Sequence, residues 1–468
     1  MLIFDHEEVQ RPLHFGGVIK LDNVISLGSA HSLESLGCSK ASLNIVDHIL
    51  NDYLKRFERS HREIQRAALN ILLANLLYAY ECGKGVLYSR NNSGNGDRHV
   101  MGFVDYLAEE GLVDSIVQPP NDKGITSYAL PSHELKRQLD IAGARIIKGK
   151  NHDPIILRNG RKKELSIQGL RYNTPNKFKR LTAPVELHNN WWDSNSATIN
   201  KRPIIPYLHR VFNRVLDSDS NKKIDLGGRF YGSYQNIPSA DRPFILINGK
   251  PTVEIDYTAI HIAILYARAK VGLIGDPYII DGYERATVKA IMLRLVNSKN
   301  IPALKTVITN SAKESRKKEF IEYKRERAEY EKKARLCLKG IKEPHKPNWI
   351  DSHIKNIPTG FKAGLFIKKL IIRHSAIEKQ LFEKENIGLR LQADDSSLMS
   401  AVLNDLYNRA LPIPVLPVHD SLICRKTNLE LVINTMKFHF KETFGAAIDV
   451  KVIEKDAPFK HDKGTLFT

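Results

Sequence analysis

The chain is poor in several residue types, and each scarcity excludes something. Only four cysteines occur in 468 residues, Cys38, Cys82, Cys337 and Cys424. They share no paired spacing, so neither a disulfide framework nor a zinc site is expected. Long apolar runs are absent as well. The longest, Ala67 to Tyr80, is too short to span a bilayer and carries Asn70 and Asn75. The start, Met1 to Glu8, is acidic and lacks the basic and apolar regions of a signal peptide. These absences predict a reducing cytoplasmic setting and no membrane partner. No internal repeat is found.

Positive charge is abundant. Lys and Arg number 71 against 52 Asp and Glu, a formal charge of +19, and the pI is about 9.5. That balance favours a polyanionic partner, although charge alone also fits a merely soluble basic protein. The length is enough for two or three domains with real cores.

Residues 61 to 136 carry the clearest local pattern in the first third. A helix is expected from Arg62 to Tyr80 and another from Val100 to a stop at Gly111. Ser115–Gln118 and Thr126–Leu130 then flank the turn Pro119–Gly124 as a two-stranded ribbon. Helices followed by such a ribbon resemble a winged helix. Residues 140 to 182 are rich in Lys and Arg and read as a basic connector, useful against phosphates or merely solvated. A helix is also expected over Pro206 to Leu216, and a long solvated one within the charged stretch Lys313 to Lys346.

Chemistry concentrates after residue 227. Asp256 ends the β-prone run Thr252–Tyr257 and leads into an apolar helix, Ala259 to Ala269. Asp420 sits with His419 at a tight turn between two apolar strand-like runs, Leu416–Val418 and Ser421–Ile423. A carboxylate at a strand end and another at a hairpin tip can converge on one pair of hard cations. The bland alternative for Asp256 is a helix cap. Between them, Arg285 and Lys289 are spaced to lie one turn apart on one helix face, which suits a triphosphate. Asp394 and Asp395 form a rival acidic pair, but their place in a helix favours capping or solvent exposure.

The ordered set of Gly228-Arg229, Gln235-Asn236-Ile237-Pro238, Arg242, Asp256-Tyr257, Arg285-x3-Lys289, Gln392 and His419-Asp420 resembles the family-A DNA polymerases and the single-subunit phage and mitochondrial RNA polymerases. The resemblance covers residues 227 to 456, about half the chain. It implies an α+β right-hand polymerase fold, with an antiparallel palm sheet and helical fingers at 227–468. A reduced thumb-like region and basic connector would occupy 137–226, behind a helical, winged-helix-like N-terminal region at 1–136. By the resemblance, Asp256 and Asp420 would hold two magnesium ions, with the Tyr257 carbonyl as a further ligand. Arg285 and Lys289 would bind the triphosphate, and Lys289 would protonate the leaving pyrophosphate. Arg229 and Gln392 would track the primer-template, and His419 would support the primer end. The implied partners are a nucleic-acid primer-template, nucleoside triphosphates and a replication or priming protein.

Departures from the family pattern bear on the product. Ser421 follows Asp420, as in the RNA polymerases, where many family-A DNA polymerases have Glu. Leu293 and Asn297 stand at the usual aromatic positions of the Arg-Lys helix, and its closing Tyr-Gly is missing. His261 takes the position of the ribose-excluding Glu, where its bulk would still crowd a 2′-hydroxyl and contact the bound nucleotide. No exonuclease-like array of carboxylates precedes the region. A compact DNA polymerase without proofreading is therefore the leading expectation. An RNA polymerase or primase, and a DNA-binding regulator that has lost catalysis, are the alternatives.

Overall fold

A computed structural model of the chain describes residues 24–26, 36–38, 43–57, 62–82, 85–88, 97–117, 127–148, 153–159, 163–165, 167, 171, 173–214, 226–298, 300–335, 344–350, 353–354, 357–382 and 387–453. Its architecture is mixed α+β, with largely antiparallel sheets. Contacts divide it into two compact units, Met1–Asp153 with Glu322–His345, and Pro154–Ile321 with Lys346–Thr468. The expected boundaries at 136 and 226 differ from this division.

In the first unit the elements are β1 (Val24–Ser26), β2 (Leu36–Cys38), α1 (Leu43–Arg56), α2 (Arg62–Glu81), β3 (Gly85–Tyr88) and α3 (Asp97–Glu109). They are followed by β4 (Val113–Ile116), β5 (Ser127–Pro131), α4 (His133–Ile141) and β6 (Ile146–Lys148). Helix α2 contains the longest apolar run, and Leu69, Leu72, Leu73, Leu76 and Leu77 on it are buried. A helix apolar on most of its surface needs cover, and here it is the core of the unit. No helix among the described residues is long and apolar enough to cross a membrane. Tyr53 of α1 packs its ring 4.6 Å from that of Phe103 in α3. Strands β4 and β5 pair antiparallel from Val113↔Pro131 to Ile116↔Tyr128, at one edge of a sheet ordered β1-β3-β5-β4. The expected turn of this ribbon lies outside the described residues.

The second unit begins with β7 (Ile155–Asn159), β8 (Lys163–Leu165), α5 (Pro175–Trp192), β9 (Ala197–Ile199), β10 (Arg202–Ile204), β11 (His209–Arg214) and β12 (Leu226–Tyr231). Then come β13 (Ile245–Ile247), β14 (Lys250–Tyr257), α6 (Ile260–Arg268), α7 (Arg285–Leu295), α8 (Ile301–Ser311) and α9 (Glu314–Arg335), whose residues from Glu322 onward belong to the first unit. The last elements are α10 (Ala363–Arg373), α11 (Glu378–Phe382), α12 (Ile387–Tyr407), β15 (Val415–Val418), β16 (Ser421–Arg425), α13 (Leu429–Phe444) and β17 (Val450–Ile453).

Two expectations are corrected here. Within the helix expected over Pro206–Leu216, His209–Arg214 form strand β11 instead, hydrogen-bonded to β12 on one side and β7 on the other, and residues 215–216 lie outside the described residues. Its Val211-Phe212 pair suits a pleated surface, and two backbone ladders outweigh a weak helical spacing. The basic stretch expected as a connector supplies β7 and β8 to the same sheet, where Ile155 and Leu157 are buried with Phe212. The charged helix α9 is mostly exposed, as its alternating signs suggest.

A second sheet runs β10-β9-β13-β14-β16-β15, with β17 also paired to β14. Beneath it lies α13, whose Val432, Met436 and Phe440 repeat every fourth residue and are buried. Helix α12 approaches β12 closely. A Cβ at Gly228, whose φ is +82°, would lie 2.6 Å from the Phe212 ring and 3.1 Å from Ser396 Oγ. Arg210 fills the space beside it, donating to the Gly228 carbonyl at 2.7 Å between the rings of Phe212 and Phe230. Burial lowers its pKa to about 10. His188 of α5 is also buried, with Nε2 2.9 Å from the Pro206 carbonyl and Nδ1 2.9 Å from the Tyr407 hydroxyl. Burial lowers its pKa to about 3.

Candidate active site

Strand β14 alternates by residue. Val253, Ile255 and Tyr257 are buried, and Glu254 and Asp256 take the opposite face. The Tyr257 hydroxyl donates to the Met436 carbonyl of α13 at 2.8 Å. Its side chain therefore belongs to the core, which leaves only its main chain for a ligand.

Pairing places Asp256 opposite Ser421 of β16 and opposite Lys451 of β17. Asp420 immediately precedes Ser421, in a turn where His419 has a φ of +58°. The two carboxylates thus arrive from adjacent strands. Burial, then the nearby Asp420 charge, raise the pKa of Asp256 above the usual carboxylate range, against the pull of Lys451 and Lys289. Lys451 Nζ lies 2.9 Å from Asp256 Oδ2. Asp256 is not the N-cap of α6: that position is Ala259, which makes no side-chain cap bond.

Neighbouring motif residues hold this corner in place. Glu254 Oε1 accepts from Arg242 Nη1 at 2.8 Å and from Ser421 Oγ at 2.8 Å. Gln235 Nε2 and the Tyr234 hydroxyl donate to the Pro417 carbonyl at 2.9 and 2.7 Å. Pro417 offers no N–H, and β15 is an edge strand, where proline is tolerated.

Arg285 and Lys289 are both exposed on α7. Their cationic groups lie 5.3 and 5.9 Å from the ring centre of Tyr278, which is buried. Tyr278 has its pKa raised to about 12 by burial, and it senses Arg285 along with Asp276, Asp420 and Asp256. Arg285 also pairs with Asp276. Asn297, at an expected aromatic position, donates to the Leu293 carbonyl at 2.8 Å, and a Cβ on Gly388 of α12 would strike its Oδ1.

Arg229, His261 and Asp395 form a third cluster. Arg229 Nε lies 3.0 Å from Asp395 Oδ2, and His261 Nε2 lies 2.9 Å from the same oxygen. The Asp395 side chain is 2% exposed. Burial weighs against the Arg229 cation, yet the Asp395 carboxylate raises its pKa on balance. The expectation that Asp394 and Asp395 are capping or solvated residues is therefore corrected. Asp394 pairs with Arg268 at 2.7 Å, and burial raises its own pKa. Gln392 lies one turn before Asp395 and is half-buried. His419 is exposed, with its ring edge-on to Tyr231 at 5.8 Å. No group of three or more metal-ligating side chains occurs among the described residues.

No protein-family model matches the chain, and no curated protein sequence matches it. Among solved structures, it is similar to the POL domain of Pol1 from M. smegmatis in complex with DNA primer-template and dNTP. The two are 11% identical with a TM-score of 0.25, over 90% of this chain and 67% of that one. A similarity that low leaves any functional reading to the site itself.

Sequence reasoning missed Lys451, Tyr278 and Asp276, and took Asp395 for a capping or solvated residue. The signal for Lys451 was available: it is a polar position in the alternating run Ile448–Ile453, and pairing sets it opposite Asp256. Asp276-Pro277-Tyr278 offered only a turn.

Proposed function

We propose that the chain is a template-directed nucleotidyltransferase, in its most specific form a DNA polymerase without proofreading exonuclease. The observation that carries this reading is the register of β14 against β16, which sets Asp256 opposite the neighbour of Asp420. The donor set fits magnesium. Two carboxylates meet, and burial with mutual repulsion raises the proton affinity of Asp256, an excess of negative charge that a hard cation relieves. Asp256, Asp420 and the Tyr257 main-chain carbonyl would hold the ions. Magnesium there supplies activation of a primer 3′-hydroxyl and neutralisation of the leaving pyrophosphate.

The remaining roles belong to the chain. Arg285 and Lys289 bind the triphosphate, with Tyr278 as their platform. Lys289 passes a proton to the pyrophosphate oxygen as it leaves. Arg229, Gln392 and His419 contact the primer-template. In the first unit, the helices with the β4–β5 ribbon form a winged-helix-like module for nucleic acid.

Primer extension with dNTPs or NTPs, on DNA and on RNA templates, tests the reading. Magnesium-dependent addition of dNTPs on DNA is expected. The absence of templated addition in all four combinations would overturn it. Ser421 after Asp420 favours a second reading, RNA synthesis. His261 separates the two, since its ring is held by Asp395 and Arg229 where steric exclusion would operate. His261→Gly should raise NTP use relative to dNTP use, read as the ratio of kcat/KM values. A fall in that ratio would transfer the reading to RNA.

A further inference from the structure

We propose that Lys451 is a built-in counter-ion for Asp256, holding the carboxylate in place and giving way to an incoming divalent cation. This rests on the nucleotidyltransferase reading above. Lys451 is the cross-strand partner of Asp256, within a ladder running from Glu254↔Ile453 to Tyr257↔Val450. Directly opposed residues project to the same face of a sheet, so its approach is set by the backbone. Its Nζ lies 2.9 Å from Asp256 Oδ2, and the two side chains are 50% and 20% exposed. Lys451 is thus close enough to compensate the carboxylate and open enough to solvent to leave it. Asp420 reaches the same corner from the other side of β14.

A lysine suits this task. Its ammonium is a compact charge on a flexible four-carbon stem, with none of the fixed two-point geometry of arginine. An ammonium and a divalent cation cannot both take the same side of one carboxylate oxygen. A cation that takes Oδ2 on the side Lys451 occupies requires the lysine to swing outward, and loss of the ion pair opposes that capture. Lys451 is a positioning residue in this account, since it acts through Asp256.

The test uses the full chain without nucleotide or nucleic acid, titrated with Mn2+ and followed by the electron paramagnetic resonance of the free ion. Lys451→Met should bind Mn2+ about tenfold more tightly than the wild type, as expected for removing one unit charge beside a partly solvated cation site. Lys451→Gln, which keeps a polar side chain, should shift in the same direction. Lys451→Arg should stay within about twofold of the wild type, because it keeps the charge. Asp256→Asn should bind more weakly. If Asp256→Asn weakens binding but neither neutral variant at Lys451 tightens it, the counter-ion proposal is overturned and the metal reading stands. Unchanged Mn2+ affinity in Asp256→Asn overturns the metal reading, and the inference with it.

Discussion

The two units differ in how deeply they bury charge: both carry exposed pairs, and among the described residues the pairs with both side chains under 20% exposed lie in the second. In the first, Lys55 pairs with Asp52, Lys136 with Asp140 and Arg137 with Glu134, all three or four residues apart on exposed helix surfaces. In the second, Arg229 and His261 meet Asp395 from positions 166 and 134 residues away. Arg242 reaches Glu254 with side-chain exposures of 18% and 9%. Exposed helical pairs add little and can be lost without consequence. Buried pairs are costly to assemble and costlier to break, because the surviving partner is left desolvated. In the second unit one such pair, Arg242 with Glu254, also holds Ser421, the neighbour of Asp420.

The largest effect expected is catalytic. Asp256→Asn or Asp420→Asn should slow magnesium-dependent extension by on the order of 10²–10³-fold or more, with duplex binding nearly unchanged. Near wild-type extension rates in Asp420→Asn would remove that residue from the site. Asp395→Ala sharpens the contrast between the units directly. It strands a buried guanidinium and should cost about 3 kcal/mol in urea unfolding. Glu134→Ala, the matching change on an exposed pair, should leave the unfolding curve where it is. Equal losses in both variants would erase the distinction.

His188 gives the next effect, through pH. Its folded pKa is lowered to about 3 by burial, below the ordinary value near 6.5. Its contribution is therefore intact above pH 6.5 and is lost as pH falls from there toward 3. At pH 5 the loss amounts to about 2 kcal/mol. His188→Gln should flatten the stability profile between pH 4 and 6.5, as measured by chemical denaturation. An unchanged slope would show that other groups govern acid unfolding. The smallest effect expected is on nucleotide capture. Arg285→Ala should raise KM, and Lys289→Ala should lower kcat, each by about tenfold. Normal kinetics in both would make α7 an ordinary surface helix.

Much of this geometry was legible because its signals are local. The alternation of Thr252–Tyr257, the four-residue step from Arg285 to Lys289 and the polar turn at His419-Asp420 each lie within a few residues. Asp395 was misread because its partners are remote. Beside Asp394, with no window linking it to Arg229, it looks like half of a solvated face. Strand β11 was hidden for the same reason, since its ladders to β7 and β12 involve segments that no local periodicity connects. Tyr278 carried no signal until α7 was placed above it.

The double pairing of β14 has a consequence for how the protein is made. Its ladder partner β16 and the strand β17 are synthesised long afterwards, and the contact between Glu254 and Ser421 spans 167 residues. At about 5–20 residues per second, a ribosome needs on the order of ten to thirty seconds to cover that interval. Until then the nascent chain carries a β-prone strand with its central ladder unfilled, the kind of edge that pairs with the wrong neighbour. Asp256 and Asp420 can be brought together only after β16 has been made, so a chain stalled before it would leave β14 open to wrong pairing.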